Sequence, residues 1–151
     1  MTLQDRIQEE LKQALRQHDA ARATALRSLK AAIRNAESDQ RGELDEPAVL
    51  AILSKAAKQR RESIEAYRQG GRMDLVAAEE AELRVIEAYL PRQLGEAEIR
   101  TAVEQAIVEL GAQGPGDMGR VMKLLTERLR GQADGKAISA VVREALAGLS
   151  R

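Results

Sequence analysis

The sequence predicts an all-α fold: two packed helical bundles, four helices in the first and three in the second. Three observations lead there. Apolar residues recur three or four apart through every patterned segment, which is helical spacing. No segment alternates apolar and polar residues as a half-buried strand does. The patterned segments are separated by Thr, Asp, Gly and Pro at the positions where helices start and stop.

The first helix starts at Thr2, a capping residue, with Asp5 in its first turn and the stripe Leu3, Ile7, Leu11, Leu15 facing inward. His18-Asp19 interrupts the pattern, and Asp19 caps a second helix. That helix turns Ala25, Leu26, Leu29 and Ile33 inward and Arg22, Lys30 and Arg34 outward. Ser38 to Asp45 reads as a polar loop around Gly42. Asp45 then caps a long third helix with Pro47 just inside it, where the missing N–H costs nothing. Its inner stripe is Val49, Leu53, Ala56, Arg60, Ile64 and Tyr67, flanked by Leu50 and Ala57, and one glycine of Gly70-Gly71 closes it.

Asp74 opens a fourth helix with Val76, Leu83, Ile86 and Leu90 on one face, and Pro91 stops it. Residues 1–94 thus form the first bundle and residues 95–151 the second. Gly95 to Leu110 is a fifth helix, with Ile99, Val103, Ala106, Ile107 and Leu110 inward and Gly111 at its end. Gly114-Pro115-Gly116 is a turn. Two short helices follow, each starting at an Asp beside a Gly. Asp117 precedes the stripe Met118, Val121, Met122, Leu125, Leu129, and Asp134 precedes Ile138, Val141, Val142, Ala145, Leu146, Leu149.

Composition narrows the function. Of 151 residues 44% are apolar and 32% charged, which suits a globular chain rather than a disordered one. The formal net charge is zero, so whole-chain charge gives no argument for nucleic acid. There is no cysteine, which removes thiol nucleophiles and thiolate metal sites and fits a reducing compartment. No apolar run approaches the ~20 residues of a membrane span. The charged N-terminus lacks a signal-peptide core, and the expected location is the cytoplasm. Aromatic residues are only Tyr67 and Tyr89, too few to bind single strands by stacking.

Four groups of residues bear on chemistry. His18 beside Asp19 has the composition of a base with an orienting carboxylate, but neighbours in sequence rarely meet in the needed geometry. It reads as a solvated helix junction. Glu79, Glu80, Glu82 and Glu87 suggest a metal or acid-base set, or a charged face paired with Lys55, Lys58, Arg60 and Arg61; the second reading is favoured. The run Lys58, Arg60, Arg61, Arg68, Arg72 is a phosphate track or the other half of that pairing, and the structural reading is again preferred. The last group is the C-terminal segment. From Pro115 onward the cations are Arg120, Lys123, Arg128, Arg130, Lys136, Arg143 and Arg151, against Asp117, Glu127, Asp134 and Glu144. Glycines at both helix starts allow close backbone approach, and first-turn N–H groups suit phosphate. Equally, the Asp residues cap those groups and the glycines permit tight helix crossing. No phosphate loop, nucleotide fingerprint or nucleophile elbow is present, and no catalytic residue, metal site or cofactor is predicted.

Asp117-Met118-Gly119-Arg120-Val121-Met122, Ala133-Asp134-Gly135-Lys136 and Val142-Arg143-Glu144-Ala145-Leu146 together resemble the GatB/YqeY family. That pattern also closes the B subunit of the glutamine-dependent aspartyl/glutamyl-tRNA amidotransferase. Upstream, Lys58-Gln59-Arg60-Arg61-Glu62-Ser63-Ile64-Glu65-Ala66-Tyr67 and Glu87-Ala88-Tyr89-Leu90-Pro91-Arg92-Gln93-Leu94 are similar to stand-alone, bacterial-type YqeY members. The resemblance implies a four-helix and a three-helix bundle, and a tail that contacts tRNA. It carries tRNA contact to Gly119, Arg120, Lys123, Gly135 and Lys136. Arg120 stands where Lys is common, and Gln132 where the pattern has a cation.

The leading expectation is therefore a non-catalytic protein related to the amidotransferase tail. Its implied partner is tRNA, or a tRNA-dependent amidotransferase or aminoacyl-tRNA enzyme; membrane and metal are not expected. The alternative is a protein-interaction module presenting the third and fourth helices with Tyr67 and Tyr89. A role in glutamine-dependent carbon-nitrogen ligation itself ranks third, because nothing in the chain resembles the parts that carry that chemistry.

Overall fold

A computed structural model describes residues 1–149, and Ser150 and Arg151 lie outside the described residues. The protein is all-α, with α1 Leu3–Arg16, α2 Ala20–Gln40, α3 Glu46–Gln69, α4 Met73–Glu87, α5 Glu96–Leu110, α6 Met118–Arg128 and α7 Gly135–Leu149. The chain divides into two compact units, one from Met1 to Pro91 and one from Arg92 onward.

In the first unit α1 starts where local chemistry dictates. Thr2 accepts the Asp5 N–H through its hydroxyl while the Asp5 carboxylate accepts the Thr2 N–H, both at 3.1 Å. The buried stripe is Leu3, Ile7, Leu11 and Ala14, whereas Leu15 is 45% exposed. The reason is geometric. At about 100° per residue, Leu15 has turned about 120° from Leu3, while Ala14 returns to within about 20°. His18 takes the left-handed conformation (φ 57°) that ends α1, its N–H bonding the Leu15 carbonyl and that of Asp19 the Ala14 carbonyl. Asp19 caps α2 by accepting the Arg22 N–H at 3.2 Å.

The second helix runs to Gln40, past the expected loop start at Ser38. Arg41, rather than Gly42, adopts the left-handed closing conformation (φ 58°), and the Gly42 N–H reaches back to the Glu37 carbonyl. Asp45 caps α3 at the Ala48 N–H, with Pro47 in the first turn. The buried face of α3 is Val49, Leu53, Ala57 and Ile64; Ala56 and Tyr67 sit half-buried at its edge. Gly71 supplies the left-handed residue (φ 71°) after α3. The next helix begins one residue before Asp74, whose carboxylate pairs with Arg72 instead of capping. It ends at Glu87, ahead of Pro91.

The first core joins the buried faces of α1, α2 and α3 to Ile86 and Tyr89. Tyr89 is buried there; its hydroxyl donates to the Glu10 carboxylate, and the Arg6 guanidinium lies 5.2 Å over its ring. Burial, followed by the Glu10 carboxylate, pushes the Tyr89 hydroxyl pKa well above the ordinary tyrosine range.

The second unit is a three-helix bundle around Ile99, Val103, Ala106, Val121, Leu125, Ile138, Val142 and Leu146. Its chain begins before α5. Arg92 pairs with Glu98 at 2.6 Å, and the Leu94 N–H bonds the Gln132 carbonyl at 2.9 Å. Gly111 (φ 62°) closes α5 with the Ala112 N–H on the Ile107 carbonyl.

Candidate functional site

The start of α6 departs from the expected cap. Pro115–Asp117 forms a 3-10 turn that runs into the helix, and the Asp117 side chain makes no bond to α6 backbone. Its carboxylate instead accepts the Gln113 N–H and the Arg120 guanidinium, each at 2.8 Å. The Gln113 N–H and then Arg120 hold the Asp117 pKa below the ordinary aspartate range. Arg120 also donates to the Leu110 carbonyl at 3.3 Å. A cation at the C-terminus of α5 is well placed against the helix dipole. Arg120 thus ties the end of α5 to the start of α6, and its charge is spent inside the unit.

The start of α7 is set by the 131–134 loop. Gly131 (φ 76°) offers its carbonyl to the Gln93 side chain at 2.6 Å, and Gln132 is held by Leu94. Asp134 precedes Gly135, and the Asp134 carbonyl accepts the Ile138 N–H at 3.1 Å.

Gly119 and Gly135 stand in the first turns of α6 and α7, both exposed. A Cβ built at either would meet nothing within 4 Å. Tight helix crossing therefore does not account for them, and neither has a positive φ. Lys123 and Lys136 are exposed and enter no ion pair or hydrogen bond among the described residues. Lys136 and Arg143, seven apart, share the face of α7 opposite Ile138 and Val142. Arg143 reaches only Ser139, at 3.5 Å, whereas Arg128 is taken up by Glu109. The structure therefore separates the motif residues: Gly119, Lys123, Gly135 and Lys136 are open, and Arg120 is internally engaged.

The other candidate groups resolve into structural contacts. The Asp19 carboxylate is used as a helix cap, and His18 is a helix-closing residue on the surface. Arg60, the charged member of the α3 stripe, bridges Glu79 and Glu82 at 2.9 and 2.5 Å. Burial raises the Glu82 pKa, and the Arg60 charge opposes that rise. Arg61 pairs with Glu87, Arg68 with Glu65 and Glu80, and Arg72 with Asp74. The acidic face of α4 and the basic run of α3 thus neutralise one another. Among the described residues no three His, Cys, Asp or Glu side chains converge as metal ligands, and no helix is long and apolar enough to cross a membrane. A group the motif does not contain also stands open: Lys12, Arg16, Arg27, Lys30 and Arg34 of α1 and α2 form no ion pair or hydrogen bond among the described residues. Their signal in the sequence is local charge, since Asp19 is the one carboxylate between Lys12 and Arg34.

A family model described as Yqey-like protein matches residues 4–146, both units together. The chain belongs to the Yqey-like family. Similar curated proteins include several named altered inheritance of mitochondria protein 41, mitochondrial. The one from Lachancea thermotolerans is 38% identical over 72% of this chain and 60% of its own length. That from Eremothecium gossypii is 42% identical over 56% of this chain and 46% of its own length. That from Pyrenophora tritici-repentis is 31% identical over 92% of this chain and 78% of its own length. The chain thus spans about half to three-fifths of the first two relatives. These names overturn the cytoplasmic expectation, since all three relatives are called mitochondrial. The expectation rested on an N-terminus without a signal-peptide core, which bears on secretion and not on the mitochondrion. The bacterial-type expectation likewise finds no support in them.

Proposed function

We propose that this Yqey-like chain is a non-catalytic module whose α6–α7 unit contacts the phosphate backbone of tRNA, free or held by an enzyme of aminoacyl-tRNA metabolism. The observation that supports it most is the open space at Gly119 and Gly135. Glycine is a poor helix former, and at these first-turn positions neither packing nor a positive φ calls for it. Bare backbone beside unpaired Lys123 and Lys136 suits close approach of an anion. Recognition of RNA duplex by shape and phosphate needs no aromatic platform. Arg120 is left out of the contact set, because Asp117 and the Leu110 carbonyl already hold it. The interaction-module alternative loses one of its two aromatic residues, since Tyr89 is buried in the first core. The names of the relatives make mitochondrial tRNA the first pool to test.

The test is binding of the purified full chain to tRNA. Lys123→Glu with Lys136→Glu should weaken affinity roughly tenfold or more near 0.1 M salt. Gly119→Ala with Gly135→Ala should keep or raise stability while weakening binding. Wild-type affinity in both double variants would remove the α6–α7 unit from the interface.

A further inference from the structure

We infer that the exposed edge formed by α1 and α2 is a second phosphate-contact surface, directed at a nucleic acid backbone and separate from the α6–α7 unit. The inference rests on RNA being the ligand but on a different set of residues.

The chain is neutral overall, yet its cations are not evenly paired. In the first unit Arg6, Arg22, Arg60, Arg61, Arg68 and Arg72 all lie within ion-pair distance of carboxylates. Among the described residues no ion pair is seen for Lys12, Arg16, Arg27, Lys30, Arg34, Arg41, Lys55 or Arg84, and the first five of these lie close in sequence on α1 and α2. Asp19, the single carboxylate within that span, is occupied as the cap of α2.

Arg27, Lys30 and Arg34 follow an i, i+3, i+7 pattern, so they form one stripe about 10 Å long on α2. Lys30 and Arg34 line a groove of about 530 Å³ together with Gln4 and Gln8 of α1. The start of α1 therefore lies beside the later part of α2, and the two helices run antiparallel. Lys12, one turn beyond Gln8 on the same side of α1, extends the stripe toward Arg27. The other end of the groove carries carboxylates. Asp5, Glu37 and Asp45 there accept the backbone N–H groups of Thr2, Leu44 and Ala48. Glu43 and Glu46 complete that rim, so the surface is basic from Lys12 to Lys30 and turns acidic beyond Arg34.

A polyanion that follows the basic length fits this pattern. Arginine forks favour phosphate oxygens. The exposed neighbours on α2 are Thr24, Ser28 and Ala31, and none of the exposed large apolar residues lies on that helix. On α1 Leu15 is the one exposed large apolar residue, so the edge lacks the continuous apolar face with which a helix enters a lipid surface. It also lacks aromatic stacking groups, so contact is with backbone phosphate and independent of base sequence.

The experiment compares three full-length chains, the wild type, Arg27→Glu/Lys30→Glu/Arg34→Glu, and Lys123→Glu/Lys136→Glu, for binding to bulk tRNA across a salt series. Circular dichroism checks folding, and the Gln triple replaces the Glu triple if the latter loses helix. The triple variant should bind at least tenfold more weakly near 0.1 M salt, with a log–log salt slope shallower by about 2–3. A wild-type slope and affinity in the triple, with loss in the C-terminal double, would overturn this surface and leave the α6–α7 assignment standing. The reverse pattern would uphold this surface and overturn that assignment. A wild-type chain that ignores tRNA at low salt would overturn both. Capture by phosphatidylserine vesicles without tRNA binding, lost in the triple, would overturn the nucleic-acid partner.

Discussion

Asp117 shows how one residue can carry a sequence signal and use it differently. An aspartate before a helical stripe reads as a cap, but the cap requires extended backbone, and here a 3-10 turn leads into α6. The carboxylate turns back to Gln113 and sideways to Arg120. Its pKa is lowered in the folded unit, so its stabilisation is present above the ordinary aspartate pKa and is lost as pH falls through the lowered value. Asp117→Asn should therefore be less stable than wild type at neutral pH, and the gap should close as pH drops below about 4. Denaturant midpoints at several pH values check this, and a gap constant across the range would contradict it. Tyr89 misleads in another way. The sequence offers it on the fourth helix as part of a partner surface, but Glu10 and Arg6 of α1 give its hydroxyl and ring a buried place. Such long-range partners are not visible from one segment of sequence.

At the scale of the element, the features set by local chemistry were legible. Thr2, Asp19 and Asp45 cap helices, and Gly71 and Gly111 end them, because each acts within four residues of itself. Over a longer helix the ~3.6-residue turn accumulates and departs from a four-residue rhythm. A four-residue rhythm selects Leu15, but the helix turns Ala14 inward. Ala14→Leu should cost about 1–3 kcal/mol by overpacking the first core. Leu15→Gln, at an exposed site, should change stability by no more than about 0.5 kcal/mol. Equal effects in thermal or urea unfolding would contradict the assigned face. The same drift replaces Ala56 with Ala57 in α3. The end of α2 was missed because Arg41, a residue that seldom takes the left-handed conformation, takes it here in place of Gly42. Arg60 within the apolar stripe was legible, and its two glutamate partners explain why a charge is tolerated there.

At the scale of the whole molecule, a net charge of zero conceals two different populations of cations. One is consumed inside the fold, chiefly between α3 and α4, and the other is left open, most densely on α1 and α2 and again on α6 and α7. The motif located two of the open cations in the C-terminal unit, Lys123 and Lys136, but also drew in Arg120, whose internal bonds only the structure reveals. It was silent on α1 and α2, where a local charge count would have found the signal. The names of the matched relatives also run against the compartment read from composition and the N-terminus. The most direct test of the central claim is the salt dependence of tRNA binding by the wild-type chain. Lys123 and Lys136 as phosphate contacts predict a log–log slope of about −1.5, steeper by about 2–3 if the α1–α2 edge also engages. No binding at low salt, or binding with a slope near zero, would contradict recognition by phosphate contact.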